Sequence, residues 1–581
     1  MSNQDVAQEL ADIANLLEIA GGNVFRVRSY RRAVEIIADL AEEVSVLLAE
    51  GRLTDLPGIG KGIAATIEQF IATGSSEDRE ALADEYPEGL LELLKVSGFG
   101  PRKAATVFEE LNISTVDELE EAAGAGRLQD LPGMGAKTEE NILKGIATYR
   151  EGLRRALLGE MLPVAEELVE QLRAHPAVIR AEFAGSTRRC RETVGDLDLL
   201  ATAQDPAAVC EWFAGLGVLE ELTMAGDTKV SGLLPGGRQV DLRVVEEQCF
   251  GAALQYFTGS KQHNVQVRER AQKMSLTVNE YGVFRIEGDE KGAMVAGETE
   301  DDVYAAVGLP WIPPELREDR GEISAAEAGR LPQLIVLPDL RCDLHMHSHY
   351  SDGRATVEEM ARAGMELGYQ YLGISDHSQT LIIANGMDAD RIKRQHEEIA
   401  ALNEKLKQKG SKFRVLHGIE ADILTDGSVD IPEGTCELLD YVIGALHQGF
   451  SSDADRMTRR MVTAVASGQI DMLAHPTGRV LLHRAPYGLH VDELIAACAE
   501  HDVALEINAS PQRLDLDDTH ARFAIQQGCK LTINSDAHGP EGLTRMRYGI
   551  MQARRGWVEA ADVINTWSAR KLKSWLKRRR K

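Results

Sequence analysis

Three things are scarce in this chain, and each scarcity excludes a class of protein. No run of apolar residues approaches the eighteen or so that would cross a bilayer, and the opening MSNQDVAQELADIAN has neither a basic nor an apolar region of the kind an export signal carries. Cysteines that could pair or bind zinc are lacking: the seven present (190, 210, 249, 342, 436, 498, 529) are scattered, odd in number and never form C-x-x-C. Basic charge is also short, with 64 Lys and Arg against 92 Asp and Glu, a net −28. A cytoplasmic protein with reduced thiols and no membrane partner is expected. The acidic balance does not exclude nucleic acid. Phosphate contacts are local and screened beyond about 10 Å, and carboxylates that bind cations reverse their sign locally. One basic run exists, Arg570 to Lys581, with eight Lys or Arg and no acid. A solvated helix end explains it equally well.

At 581 residues the chain exceeds one core, and three to five domains are expected. Residues 1–90 read as short amphipathic helices, VAQELADIANLLEIA and YRRAVEIIADLAEEV first. Three related segments then recur: Leu56-Pro57-Gly58-Ile59-Gly60-Lys61, Val96-Ser97-Gly98-Phe99-Gly100-Pro101 and Leu131-Pro132-Gly133-Met134-Gly135-Ala136. Each opens a helix. The glycines permit positive φ and close approach, and the helix N-terminus behind them offers free N–H groups to a phosphate. One such turn is weak evidence, but three make a repeat.

From about 155 the pattern becomes mixed α/β. A helix, LPVAEELVEQLRAH, precedes the strand VIRAEFAG. The turn Gly185-Ser186-Thr187-Arg188-Arg189 follows, then the strand GDLDLLAT, a helix at AAVCEWFAGL, and the strands TKVSGLL and RQVDLRVV. Asp196 and Asp198 are two apart, so on a strand they share a face and repel unless a cation lies between them. Hard oxygen ligands of this kind suit Mg²⁺ or Mn²⁺. A solvated surface pair is the plainer reading of D-x-D alone. Asp241, flanked by apolar residues inside its strand, is costly unless paired or metal-bound, and makes a natural third ligand. Residues 311–340 are rich in Pro and charge and read as a linker.

Thirteen of the fifteen histidines lie beyond residue 340. Seven apparent strands alternate with helices there: RCDLHMHS, YQYLGISDH, FRVLHGIEAD, YVIGALH, DMLAHP, VALEINA and KLTINSDAH. This is a parallel α/β barrel pattern, in which ligands gather at the C-terminal strand ends. Those ends carry His345 and His347, His377, Glu420, His447, His475, and Asp536 with His538. Asp352 follows the first strand closely enough to reach the same rim. Nine ligand-type residues at successive strand ends point to a metal cluster.

The hairpin segments resemble helix-hairpin-helix motifs, which hold DNA backbone without reading sequence. Gly185-Ser186-x-x-Arg189, Gly195-Asp196-x-Asp198, Asp241 and Tyr256-Phe257-x-Gly259-Ser260 with Asn264 and Arg268 resemble the family X DNA polymerases. The region after residue 340 resembles the polymerase and histidinol phosphatase (PHP) family of metal-dependent phosphoesterases. The order, joined through Trp311-x-Pro313-Pro314-Glu315-Leu316, is similar to that of bacterial and archaeal family X polymerases. The resemblance implies a multidomain fold: an α-helical helix-hairpin-helix region, an α/β nucleotidyltransferase palm and a C-terminal (β/α)7-type PHP barrel. The expected bounds are 1–90 and 91–153 for DNA-binding helices, 154–247 for the palm and 248–316 for nucleotide selection. A linker at 317–338, the barrel at 339–575 and a basic tail at 576–581 complete them.

The resemblance also implies roles. Asp196, Asp198 and Asp241 would bind two Mg²⁺ or Mn²⁺ ions for nucleotidyl transfer. Ser186, Arg189 and Gly195 would hold a triphosphate, Tyr256, Phe257 and Gly259 would pack by the sugar, and Asn264 and Arg268 would touch the nascent pair. Gly58, Gly60, Lys61, Gly98, Gly100, Gly133 and Gly135 would contact DNA. The nine barrel ligands would hold up to three Mn²⁺, Zn²⁺ or Fe²⁺ ions and support 3′→5′ exonuclease or related 3′-end hydrolysis. Partners would be gapped or primer–template DNA and dNTPs, with the chain a monomer, in DNA repair. Thr66 stands where the family's lyase lysine would be, and a hydroxyl cannot form the imine. Two other readings fit part of the pattern: a DNA-end-binding scaffold with a vestigial polymerase, and a barrel that acts on small phosphate esters.

Overall fold

The computed structural model describes residues 3–38, 44–49, 51–56, 58–83, 85–96, 98–288, 290–450 and 453–579. Pro57 and Ser97 of the hairpins, residues 39–43 of the second helical stretch, and the last two residues of the basic run lie outside the described residues. The chain divides into two compact units that meet in sequence at Leu153–Arg154.

The first unit is helical. Helix α1 (Asn3–Ile19) packs on α2 (Val24–Ala38), and α3 (Lys61–Thr73), α4 (Pro101–Leu111), α5 (Val116–Gly124) and α6 (Ala136–Arg154) follow. Apolar residues at helical spacing form two cores, one around Leu10, Ile13, Ile37 and Ile67, the other around Leu93, Phe99, Val107 and Ile142. The hairpins lie where the repeat placed them. Gly60 and Gly100 are the N-caps of α3 and α4, and Gly58, Gly98 and Gly133 have φ of 110°, 78° and 75°. The third hairpin follows a run of turns rather than a helix.

The second unit begins with α7 (Leu158–Ala174), which packs on a five-stranded sheet. Its strands are β1 (Val178–Phe183), β2 (Asp196–Ala203), β3 (Glu221–Ala225), β4 (Lys229–Leu234) and β5 (Arg238–Val244), in spatial order β1-β2-β5-β4-β3. Strands β2 and β5 run parallel, with Asp198 in register with Asp241. Strand β3 is exposed along its whole length, Leu222 and Met224 included. Helices α8 (Phe250–Thr258) and α9 (Lys261–Lys273) lead to a small antiparallel sheet of β6 (Leu276–Asn279), β7 (Gly282–Glu287) and β8 (Glu290–Ala296). Helix α10 (Glu300–Ala306) closes this part.

The stretch read as a linker is packed. Arg317 and Glu322 are fully buried, as are Ile312 and Ile335. The Arg317 carbonyl accepts the Ser260 amide, and the Ile335 amide donates to the Val558 carbonyl. Charge and proline there mark buried ion pairs and turns, not a loose tether.

Six parallel strands then pair in chain order: β9 (Tyr371–Ile374), β10 (Arg414–Asp422), β11 (Tyr441–Ala445), β12 (Met472–Leu473), β13 (Ala504–Asn508) and β14 (Leu531–Asn534). All but one of their residues are buried, as a sheet covered on both faces requires. RCDLHMHS, expected as the first strand, is not a regular strand. It lies beside β9 through the Arg341 and Asp343 carbonyls, which accept the Gln370 and Gly373 amides. Just past the end of β14 the Asp536 amide donates to the His345 carbonyl, and the His347 amide donates to the Ala537 carbonyl. The ladder fails because side chains intercept its amides: Asn534 Oδ1 accepts the Leu344 amide and Asp343 accepts those of His345 and Ser535.

The final described helix, α11 (Ala569–Arg579), takes in most of the basic run. Leu572, Trp575 and Leu576 are buried, and Trp575 Nε1 donates to Asp502 at 2.6 Å. None of the described helices is long and apolar enough to cross a membrane.

Candidate active sites

The D-x-D strand β2 brings Asp196 and Asp198 to the floor of a cleft of about 710 Å³. All eight residues expected to bind nucleotide line it: Ser186, Arg189, Gly195, Tyr256, Phe257, Gly259, Asn264 and Arg268. Arg155, Arg191 and Lys261 join them and add cationic charge that no sequence motif announced. Gly185 is required here. Its φ is 64°, and a Cβ would stand 2.6 Å from Asp198 Oδ2.

Two carboxylates, Asp196 and Asp198, lie on this floor, with Asp241 close beside Asp198 on the adjacent strand. Burial and the neighbouring charges of Asp196 and Asp241 push the Asp198 carboxyl up to about 6. Carboxylates that repel one another in this way fit a divalent cation between them. Asp241 departs from expectation. It is only partly buried and is not among the cleft-lining residues. Lys229 Nζ lies 3.2 Å from Asp241 Oδ2, and Gln239 Nε2 donates to Oδ1 at 3.0 Å. Burial opposes its charge, but these hydrogen bonds and Lys229 hold the carboxyl below its ordinary value.

Several cleft residues already have partners. Asn264 accepts from Gln255 Nε2 and donates to the Tyr256 carbonyl, each at 2.7 Å. Arg189 Nε pairs with Glu318 Oε1 at 3.0 Å, and Arg268 is exposed. The Phe257 ring meets Tyr256 edge-on and lies under the Arg243 guanidinium at 4.7 Å. Beneath them Glu300 anchors the fold. It takes a bidentate pair from Arg188 at 2.8 and 2.7 Å, Arg317 Nη1 at 2.6 Å and Trp311 Nε1 at 3.0 Å. Burial opposes its charge, yet Arg317 and Arg188 outweigh that and hold the carboxyl far below the usual range.

The second constellation lies at the strand ends of the six-stranded sheet. All nine expected ligands meet there. Glu420 is central: His377 Nδ1 lies 2.8 Å from its Oε2, and His475 Nε2 and His447 Nε2 lie 3.1 and 3.3 Å from its Oε1. His345 and His347 approach Oε2 at 3.4 and 3.6 Å. Asp352 reaches His377 and His538 at 3.5 and 3.3 Å, and Asp536 reaches His347 at 3.2 Å. Three overlapping groups have the spacing of metal ligands: His347, Asp352, His377 and His538; His345, His347 and Asp536; and His377, Glu420 and His447.

The donors fit metal ions on an independent ground. His345 Nε2, His377 Nδ1 and Glu420 Oε2 are buried and make no hydrogen bond, although they crowd together. Such orphaned atoms are costly, and their lone pairs suit shared cations better than one another. Burial opposes the charged form of Glu420, but His377, His345 and His447 hold it well below the usual range. His475 and Asp536 carry positive φ of 27° and 53°, a strain of the kind that functional sites retain.

A supporting layer escaped the sequence reading. Glu506, on the one strand with no expected ligand, lies 2.8 Å from His345 Nδ1 and accepts the His475 amide at 2.8 Å. Asp422 lies 3.1 Å from His447 Nδ1, and Asn508 Nδ2 donates to Asp536 at 3.0 Å. Such partners fix imidazole orientation. The i+2 spacing of Asp422 from Glu420 was the available signal for one of them. Glu506 had none.

In the first unit the expected DNA contacts sit on hairpin tips. A Cβ at Gly60, Gly98, Gly100, Gly133 or Gly135 would meet no atom within 4 Å. Lys61 is exposed. Thr66 is buried, 3.2 Å from Tyr30 Oη and 3.4 Å from Asp78.

Comparison with known proteins bears on both constellations. Residues 1–76 match the helix-hairpin-helix domain and 90–148 the SAM-like helix-hairpin-helix tandem. Residues 253–318 match the DNA polymerase beta thumb and 343–510 the PHP domain. The chain is 39% identical to the DNA polymerase/3′-5′ exonuclease PolX of Bacillus subtilis (strain 168) over the whole of both chains. It is 24% identical to rat DNA polymerase lambda over 54% of this chain and 56% of that one. A protein of Thermoanaerobacter sp. named as a probable phosphatase is 26% identical over 41% of this chain and 95% of its own. A polymerase-type carboxylate cleft and a PHP histidine cluster on one chain, with end-to-end similarity to PolX, place this chain in the family X DNA polymerases that carry a PHP domain.

Proposed function

We propose that this enzyme fills short gaps in DNA during repair and trims 3′ ends, with synthesis in the carboxylate cleft and hydrolysis in the histidine cluster. The observation that carries the reading is the convergence of eight nucleotide-type residues on the cleft that holds Asp196 and Asp198. Asp196, Asp198 and Asp241 would hold Mg²⁺ or Mn²⁺. The nine barrel residues would hold up to three Mn²⁺, Zn²⁺ or Fe²⁺ ions, since imidazole nitrogens favour these over Mg²⁺. When bound, such ions neutralise developing phosphate charge and acidify water or a 3′-hydroxyl.

The chain's own groups do the rest. Ser186, Arg189 and the Gly195 backbone hold the triphosphate, with Arg191 and Lys261 adding charge. Tyr256 and Phe257 pack by the sugar, and Arg268 reaches the nascent pair. Asn264 must exchange one of its internal hydrogen bonds to do the same. Lys229 must release Asp241 as the cation binds. On the hydrolytic side Glu506 and Asp422 orient His345 and His447. Gly60 and Gly100 carry ordinary φ of −83° and −94° and open space, so nothing within the chain requires glycine there. Close approach of a DNA phosphate to the hairpin tips supplies the reason. With Thr66 buried in the Tyr30–Asp78 network, imine-forming lyase chemistry has no residue at that position. The domain bounds, a monomeric state and a cytoplasmic setting belong to the same reading.

A primer–template assay with and without dNTPs tests this on wild type, Asp198→Ala and His347→Ala. Asp198→Ala should lose extension by roughly a thousandfold and keep 3′ degradation, and His347→Ala should do the reverse. Loss of both activities in either variant would refute the division of labour. Much faster hydrolysis of a free sugar phosphate than of a DNA 3′ end would favour a small-molecule phosphatase.

A further inference from the structure

The polymerase cleft is braced by an arginine from outside the polymerase core. The helix Met546–Arg555 packs on β14, where Gly549 lies against Ile533 and Ala509. Arg555, the last residue of that helix, is buried. Its Nη1 donates to the Arg189 carbonyl at 2.7 Å and to Glu318 Oε1 at 3.0 Å. The same Glu318 oxygen takes Arg189 Nε at 3.0 Å. Arg555 Nη2 donates to Asp518 Oδ2 at 2.6 Å, which also pairs with Arg320 at 3.0 Å. Arg189 in turn donates through Nη1 to the Thr258 carbonyl, at the C-terminal end of α8 beside the cleft residues Tyr256 and Phe257.

We propose that Arg555 is a positioning residue for nucleotide binding, through which the PHP half of the chain sets the charge and orientation of Arg189. The proposal rests on the reading of Arg189 as a triphosphate ligand. A carboxylate beside a phosphate-binding arginine would cancel its charge. Glu318 does so only in part, because Arg555 shares the same oxygen. Arg189, Arg555 and Arg320 against Glu318 and Asp518 leave the cluster with one net positive charge. Without Arg555, the Glu318 carboxylate is left to Arg189 with no second guanidinium on the same oxygen, and Arg189 offers a nucleotide less charge beside Arg155, Arg191 and Lys261. Arg555 also fixes the Arg189 backbone by its carbonyl, so both ends of that residue depend on it.

The test is single-nucleotide insertion on a primer–template with Mg²⁺, with 3′-end hydrolysis measured alongside. Arg555→Ala should raise the dNTP KM about tenfold, leave kcat within about threefold and leave hydrolysis unchanged. Adding Glu318→Gln to it should return KM toward the wild-type value, since no carboxylate then neutralises Arg189. A purely structural brace predicts no such recovery. If Arg555→Ala does not fold, Arg555→Lys carries the test. One ammonium cannot reach Glu318, Asp518 and the Arg189 carbonyl together, and KM should rise about threefold. An unchanged KM in these variants, while Arg189→Ala raises it, overturns the proposal and leaves the cleft reading intact. Loss of kcat and hydrolysis together, without recovery in the double variant, also overturns it. An unchanged KM in Arg189→Ala overturns the triphosphate reading, and the proposal with it.

Discussion

The two sites of the second unit set their carboxylates against different partners. Around the polymerase cleft the partners are arginines: Arg188 and Arg317 on Glu300, Arg189 and Arg555 on Glu318. In the PHP half the partners of Glu420 and Asp536 are histidines. A guanidinium never gives up its proton and cannot ligate a metal, so arginine pairs make a fixed scaffold. Neutral imidazole has a lone pair to offer, so a histidine–carboxylate cluster suits a resident metal centre. The polymerase carboxylates themselves sit apart from both patterns. Asp196 is exposed on an open floor, which suits cations that arrive with the nucleotide.

Metal removal tests this contrast most severely. After dialysis against a chelator both activities should vanish. Added Mg²⁺ should restore extension at once, whereas 3′ hydrolysis should return only with Mn²⁺, Zn²⁺ or Fe²⁺. Recovery of both with Mg²⁺ alone would erase the distinction.

The scaffold role of the arginine pairs comes next. Glu300→Ala strands the buried Arg317 guanidinium and the partly buried one of Arg188 and should cost about 3–5 kcal/mol, read from the denaturation midpoint. The pair also predicts a pH dependence. The folded carboxyl titrates below its unfolded value, so its stabilisation is fully present above about pH 4.3 and is lost as pH falls below that. Glu300→Gln should flatten stability against pH in that acid range. An unchanged acid slope would remove Glu300 from the scaffold.

On the metal side, Glu506→Gln should weaken metal binding by about 10–100-fold, measured by metal titration of the chelated protein, with extension unaffected. The smallest effect is expected at Lys229. Replacing it with Met removes a competitor for Asp241 and should lower the Mg²⁺ concentration for half-maximal extension by roughly threefold, the scale of a partly exposed pair. A higher requirement would mean that Lys229 positions Asp241 rather than competing for it.

Much of both sites was legible because their residues lie at fixed local spacings. Asp196 and Asp198 share a strand face two residues apart, and the histidines recur where each buried strand ends. The hairpin glycines repeat ahead of each helix. Where local signals were weak or absent, the reading failed. RCDLHMHS has a strand's pattern, but Asp343 and Asn534 intercept its amides. Residues 317–338 have a linker's composition, but Arg317 and Glu322 are buried against Glu300 and His263. Asp241 reads as a third metal ligand on a buried strand, but it is only partly buried and Lys229, on the neighbouring strand, reaches it.

The sequence by itself determined which residue types stand at the strand ends and turns, hence the two chemistries and their order along the chain. A strand repeats every two residues and a helix every three to four, so such positions are written locally. Only the tertiary structure decided what surrounds them. Arg188 meets Glu300 across 112 positions, Arg479 meets Glu192 across 287, and Arg555 meets Arg189 across 366. No periodicity spans such separations. Those pairings exist because a buried charge must find an opposite partner, and which partner it finds is set by how the sheets and helices pack.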